Sequence, residues 1–84
     1  MNLKYVIVDV AGNEIPVIFP DLLAHADMAY GMKVISAGFC QIGVAKNNLV
    51  VCCFGHSTSC KVKARPEEDE ALILRELERH KRSW

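Results

Sequence analysis

Apolar residues fill the first half of the chain in short, β-branched runs broken by turn residues. Lys4 to Val10 reads KYVIVDV, with apolar positions on both faces, as in a strand at the centre of a sheet. Ala11-Gly12-Asn13 is a turn signal, and Glu14 to Phe19 (EIPVIF) is a second strand, so the two form a hairpin. Pro16 cannot donate to a ladder and assigns that second strand to a sheet edge or a bulge.

The period then changes. Asp21 is a suitable N-cap, and Leu22, Leu23, Ala26, Ala29 and Tyr30 follow at helical spacing, with Gly31 placed to end the helix. His25 falls on the open side of that helix. Lys33 to Gln41 (KVISAGFCQ) and Leu49 to Phe54 (LVVCCF) predict a second hairpin. Its loop is Gly43 to Asn48, with Asn47-Asn48 suited to positive φ. Gly38, inside the first of these strands, implies a bulge or a close approach of another backbone or a ligand.

Gly55 to Ser59 (GHSTS) is polar, and Cys60 to Arg65 (CKVKAR) predicts a short fifth strand with Lys61, Lys63 and Arg65 on one face. Pro66 opens a last helix. Glu67, Glu68, Asp69 and Glu70 fill its first turn, and Arg79, His80, Lys81 and Arg82 its last, as the helix dipole favours. Ala71, Ile73, Leu74 and Leu77 supply its apolar stripe. Glu76–His80 and Glu78–Arg82 are i,i+4 pairs, and the remaining charges read as a solvated face. The order β-β-α-β-β-β-α predicts one α+β domain over residues 1–84. It would have a mostly antiparallel sheet of about five strands and two helices on one face of it.

Composition narrows the classes. The chain has 84 residues, is 51% hydrophobic and carries 10 basic against 10 acidic residues. It is too short for two ordinary domains and too apolar for a disordered tail, and it lacks the basic excess of a general nucleic-acid binder. No apolar run approaches a membrane span, and no secretory leader is evident, so a reducing cytoplasm is expected. A core this thin favours a homo-oligomer.

Four cysteines, Cys40, Cys52, Cys53 and Cys60, raise two chemical options. Cys53, His56 and Cys60 have C-x2-H-x3-C spacing, with Cys40 as a possible fourth zinc ligand, but this is not a common zinc pattern. Cys52 and Cys53 are adjacent and point to opposite faces of a strand. Core thiols are the better reading, with no metal and no cofactor. Pairing Cys40, Cys52 or Cys60 with His25 or His56 would give a nucleophile and a base, but no signature orders them, so no catalytic residue is assigned.

A third constellation is stronger. Polar and basic groups converge at His56, Ser57, Thr58, Ser59, Lys61, Lys63 and Arg65. Hydroxyls, close backbone N–H groups and three cations next to a helix start are the ingredients of a phosphate-binding surface. The competing reading is a plain turn whose bases neutralise the acidic run that follows.

Three segments also resemble a known family: Val6 to Ala29 (VIVDVAGNEIPVIFPDLLAHADMA), Val34 to Cys40 (VISAGFC) and Phe54 to Ile73 (FGHSTSCKVKARPEEDEALI). They are similar to small phage and prophage proteins in which a PVIFPD element, an SAGFC-like strand and a glycine- and serine-rich loop leading into an RPEDD-like segment recur in that order. The resemblance implies a bacterial host's cytoplasm and a role against host defence, and it carries over no functional residue. The resulting expectation is a non-enzymatic homo-oligomer that sequesters an anionic, nucleotide-like small molecule. One alternative is an inhibitor of a host protein complex, such as a CRISPR effector or a nuclease, whose Glu67 to Glu70 cluster mimics nucleic-acid phosphate. The other is a small virion or assembly component.

Overall fold

The structure is a computed structural model and describes residues 2–81. Strand β1 (Leu3–Val10) turns through Ala11 and Gly12 into β2 (Asn13–Pro20). Both turn residues have positive φ, 53° and 84°, which is the two-residue hairpin turn whose twist matches that of the strands. A single helical turn, α1 (His25–Met28), leads to the long β3 (Lys33–Ala45) and back along β4 (Asn48–Phe54). A small ribbon, β5 (His56–Ser57) with β6 (Val62–Lys63), precedes helix α2 (Pro66–Lys81).

The fold is α+β, as the sequence predicts. The main sheet has the order β2-β1-β3-β4, and every pairing is antiparallel. The fifth expected strand appears instead as the separate β5-β6 ribbon. β1 is central and is buried on both faces. Tyr5 and Ile7 point to one side with Cys40, Val51, Cys53 and Ile73, under α2. Val6 and Val8 point to the other with Phe19, Ala29 and Ala37, under α1 and Val62 of the ribbon. The two helices therefore lie on opposite faces rather than on one.

Three local expectations are corrected. Asp21 caps no helix. Leu23 N–H bonds Pro20 O at 3.1 Å in a turn, Lys4 Nζ ties Leu23 O at 2.9 Å, and the helix starts only at Ala24–His25. With one turn formed, the expected apolar stripe is buried only at Ala29, while Leu22 is 91% and Tyr30 90% exposed. In the second hairpin the positive-φ residues are Lys46 and Asn47, because Asn48 pairs with Ala45 in the ladder. The acidic run of α2 is not uniformly solvated, since Asp69 is completely buried. The Glu78–Arg82 pair involves Arg82, which lies outside the described residues.

Two features of β3 shape the rest. Its residues beyond Cys40 pair with β4 alone, so the β3-β4 hairpin extends as an arm past the end of β1. At Gly38 the neighbouring backbone comes close, and an added Cβ would sit 2.5 Å from Phe54 O. That is the close approach its place in a strand implied.

Candidate functional site

Gly55, at φ 79°, turns the chain out of β4 and packs under the Phe39 ring, where a side chain would meet the ring at 3.1 Å. The ribbon that follows pairs His56 with Lys63 and Ser57 with Val62, and Ala64 N–H closes it onto Gly55 O at 3.0 Å. Between its strands, Ser57 is buried and structural. Its Oγ accepts the Cys60 N–H at 3.1 Å and lies 3.4 Å from Ser59 Oγ. Lys61 takes φ 58°, which interrupts the strand expected from Cys60 to Arg65.

That interruption divides the seven predicted site residues. His56, Ser57, Thr58, Lys61 and Lys63 line one cleft of about 480 Å³ with Val62. His56, Thr58 and Ser59 also line a second cleft of about 360 Å³, with Lys4, Ala24, His25 and Phe39. The two clefts share His56 and Thr58. Together they carry three lysines and two histidines, and neither lining contains a carboxylate. Among the described residues, Lys61 and Lys63 form no ion pair.

Arg65 lies elsewhere. Its guanidinium Nη2 bonds Glu14 Oε1 at 2.7 Å and Asp69 Oδ1 at 2.9 Å, with Nε 3.1 Å from the same Asp69 oxygen. Burial works against the Arg65 charge, but the bonds to Glu14 and Asp69 outweigh it and hold its pKa above the ordinary value. Asp69 is the hub beneath it. Tyr5 Oη donates to Asp69 Oδ2 at 2.5 Å, Arg65 N–H to the same oxygen at 2.8 Å, and Ser36 Oγ to Oδ1 at 2.8 Å. Burial and the Asp69 bond together push the Tyr5 phenol well above its usual range. A cleft of about 540 Å³ opens beside this network, lined by Arg65 and Arg75 together with Glu14 and Glu68. Balanced charge and an engaged guanidinium make it a poorer anion site than the lysine clefts.

The acidic run is divided too. Asp69 belongs to the network, and Glu70 Oε2 accepts the Cys53 N–H at 2.9 Å. Of the four cysteines, Cys40 and Cys53 are buried in the core, as expected, whereas Cys52 is exposed and Cys60 half-buried. Burial pushes the Cys40 thiol up to about 11. Burial and the adjacent Cys40 push Cys53 up to about 12. Both are poor nucleophiles at neutral pH. Cys40 lies on the α2-covered face and His25 on the opposite one, so they do not pair. Among the described residues no three His, Cys, Asp or Glu side chains converge to hold a metal ion.

Sequence reasoning missed Lys4 and Phe39, and it put His25 on the open side of its helix, where the structure instead buries it. His25 is buried, and its Nε2–H donates to Gly38 O at 2.8 Å. Its ring meets Phe19 and Phe39 edge-on at 5.6 and 5.8 Å, and Phe39 stacks on Phe54 at 5.9 Å. The available signals were the Phe19 and Phe39 positions flanking the helix, but only the fold brings them to the ribbon. No helix among the described residues is long and apolar enough to cross a membrane. No protein-family model, no curated protein and no solved structure matches the chain.

Proposed function

We propose that this protein binds a phosphate-bearing, nucleotide-like small molecule across the two clefts of the β5-β6 ribbon, without catalysing a reaction on it. The observation that carries the reading is the uncompensated charge of Lys4, Lys61 and Lys63, which with the His56 ring line clefts holding the Thr58 and Ser59 hydroxyls and no carboxylate. Lysine ammonium groups neutralise phosphate oxygens, and hydroxyl donors orient them. Phe39, backed by Phe54, offers an aromatic wall of the kind on which a base stacks. A cleft of about 360 Å³ falls at the lower end of ordinary ligand pockets, which suits a mononucleotide-sized fragment. The setting, sequestration of a signalling nucleotide against host defence in a bacterial cytoplasm, rests on the phage-family resemblance.

Isothermal titration against a panel of mono-, di- and cyclic nucleotides tests the proposal. Micromolar binding that weakens with added salt, and that is lost in Lys61→Glu/Lys63→Glu, is expected. Absence of heat with every nucleotide, or binding unchanged in the double variant, overturns it.

A further inference from the structure

The two edges of the main sheet are unequal. In a hairpin with a two-residue turn, the residues flanking the turn exchange both ladder bonds, and alternate residues then point their N–H outward. On β2 the flanking residue is Asn13, so Glu14, Pro16, Ile18 and Pro20 are the outward positions. Two of the four are prolines and have no N–H to offer. On β4 the flanking residue is Asn48, so Leu49, Val51 and Cys53 point outward. The Cys53 N–H is already held by Glu70. The N–H and C=O groups of Leu49 and Val51 have no hydrogen-bond partner among the described residues, and no proline, charge or bulge guards them.

We propose that a second copy of this chain pairs with this edge, antiparallel, so that Leu49 of each copy exchanges both ladder bonds with Val51 of the other. Glu70 selects the register. A one-step shift in one direction would need the Cys53 N–H, and the opposite shift would run into the positive-φ turn at Lys46-Asn47. In the selected register, Val50 meets its own counterpart on the two-fold axis, at the closest kind of cross-strand pair. Val50 is 47% exposed in the single chain and is covered by this contact. On the opposite face Leu49 lies across from Val51, an apolar pair that continues the core under α2. The strand Asn48–Phe54 has no charged residue, so self-pairing opposes no like charges. The product is a continuous eight-stranded sheet. This interface does not depend on the ligand reading, since the lysine clefts are built from the ribbon.

Sedimentation equilibrium at about 100 µM, far above the dissociation constant of a functional homodimer, tests the pairing. The expected result is a dimer that becomes monomeric in Val50→Lys, which places two ammonium groups on the axis. Leu49→Pro, which gives β4 the protection β2 already has, is expected to act alike. Because a misfolded variant would also lose the dimer, a third variant is near-isosteric. Val50→Cys in a Cys52→Ser background is expected to cross-link into a covalent dimer with a short bismaleimide. A monomeric wild-type protein, a dimer that survives both Val50→Lys and Leu49→Pro, or a Val50→Cys variant that does not cross-link would each overturn the proposal.

Discussion

The two faces of the sheet hold their polar groups by opposite means. Under α2, the buried charge of Asp69 is matched. Asp69 collects five donors from Tyr5, Ser36 and Arg65, and Arg65 is shared with Glu14. No buried side-chain polar atom among the described residues lacks a partner. On the ribbon side, the lysines are exposed and unmatched, and the buried polar ring of His25 is held by one backbone carbonyl. Matched, buried charge locks a single arrangement in place, and its removal is expensive. Unmatched, exposed charge contributes little to stability and is free for a ligand. The first face is organised for folding, and the second leaves its cations free for the ligand proposed above.

The sharpest way to break this contrast is Asp69→Ala, which leaves Arg65, Tyr5 and Ser36 without their shared acceptor. It is expected to cost about 3–5 kcal/mol, measured by urea unfolding. Gly38→Ala tests the seam between β3 and the ribbon. Its new Cβ meets Phe54 O and Ala64, both held in place, so a loss of about 2 kcal/mol in the same assay is expected. Tyr5→Phe removes one donor from Asp69 while the others remain, and about 1.5 kcal/mol is expected.

Alkaline titration sharpens the comparison further. Cys40 and Cys53 lie under α2 with folded pKa values of about 11 and about 12, raised from the ordinary thiol value of 9.0. Above pH 9 the unfolded chain loses these protons first. The stability they contribute is therefore whole below about pH 9 and is lost as pH rises through the folded values. Cys53→Ala is expected to flatten that decline in denaturant midpoints recorded between pH 8 and 11. The smallest effect belongs to the ribbon: Lys61→Glu/Lys63→Glu is expected to change stability by no more than about 0.5 kcal/mol. A larger loss there would mean that the lysines are structural after all.

The strands and hairpins were legible because their signals are local. The KYVIVDV run is apolar at every buried position of β1, and Ala11-Gly12 supplies the turn within two residues. The C-terminal helix was legible for the same reason, from Pro66 and its acidic first turn. The short helix misled because Leu22, Leu23 and Tyr30 have helical spacing but no surface left to bury them. The faces above and below β1 are already filled by Phe19, Ala29 and Ile73. Asp69 could not be told from Glu67, Glu68 and Glu70 by composition, because its partners Tyr5 and Ser36 stand 64 and 33 residues away. Likewise the cluster from Lys61 to Arg65 looked like one site in a regular alternation. The positive φ at Lys61 sends Arg65 into the opposite face's network, while the fold adds Lys4, His25 and Phe39 in its place.

The prolines of β2 have a consequence for growth. A sheet with two open edges can add copies without limit, and the result is a fibre. With Pro16 and Pro20 closing one side, only the β4 edge is left to pair, and the dimer proposed above would exhaust it. If that dimer forms, replacing both prolines with residues that restore the N–H groups would open the second edge and turn the closed pair into a polymer.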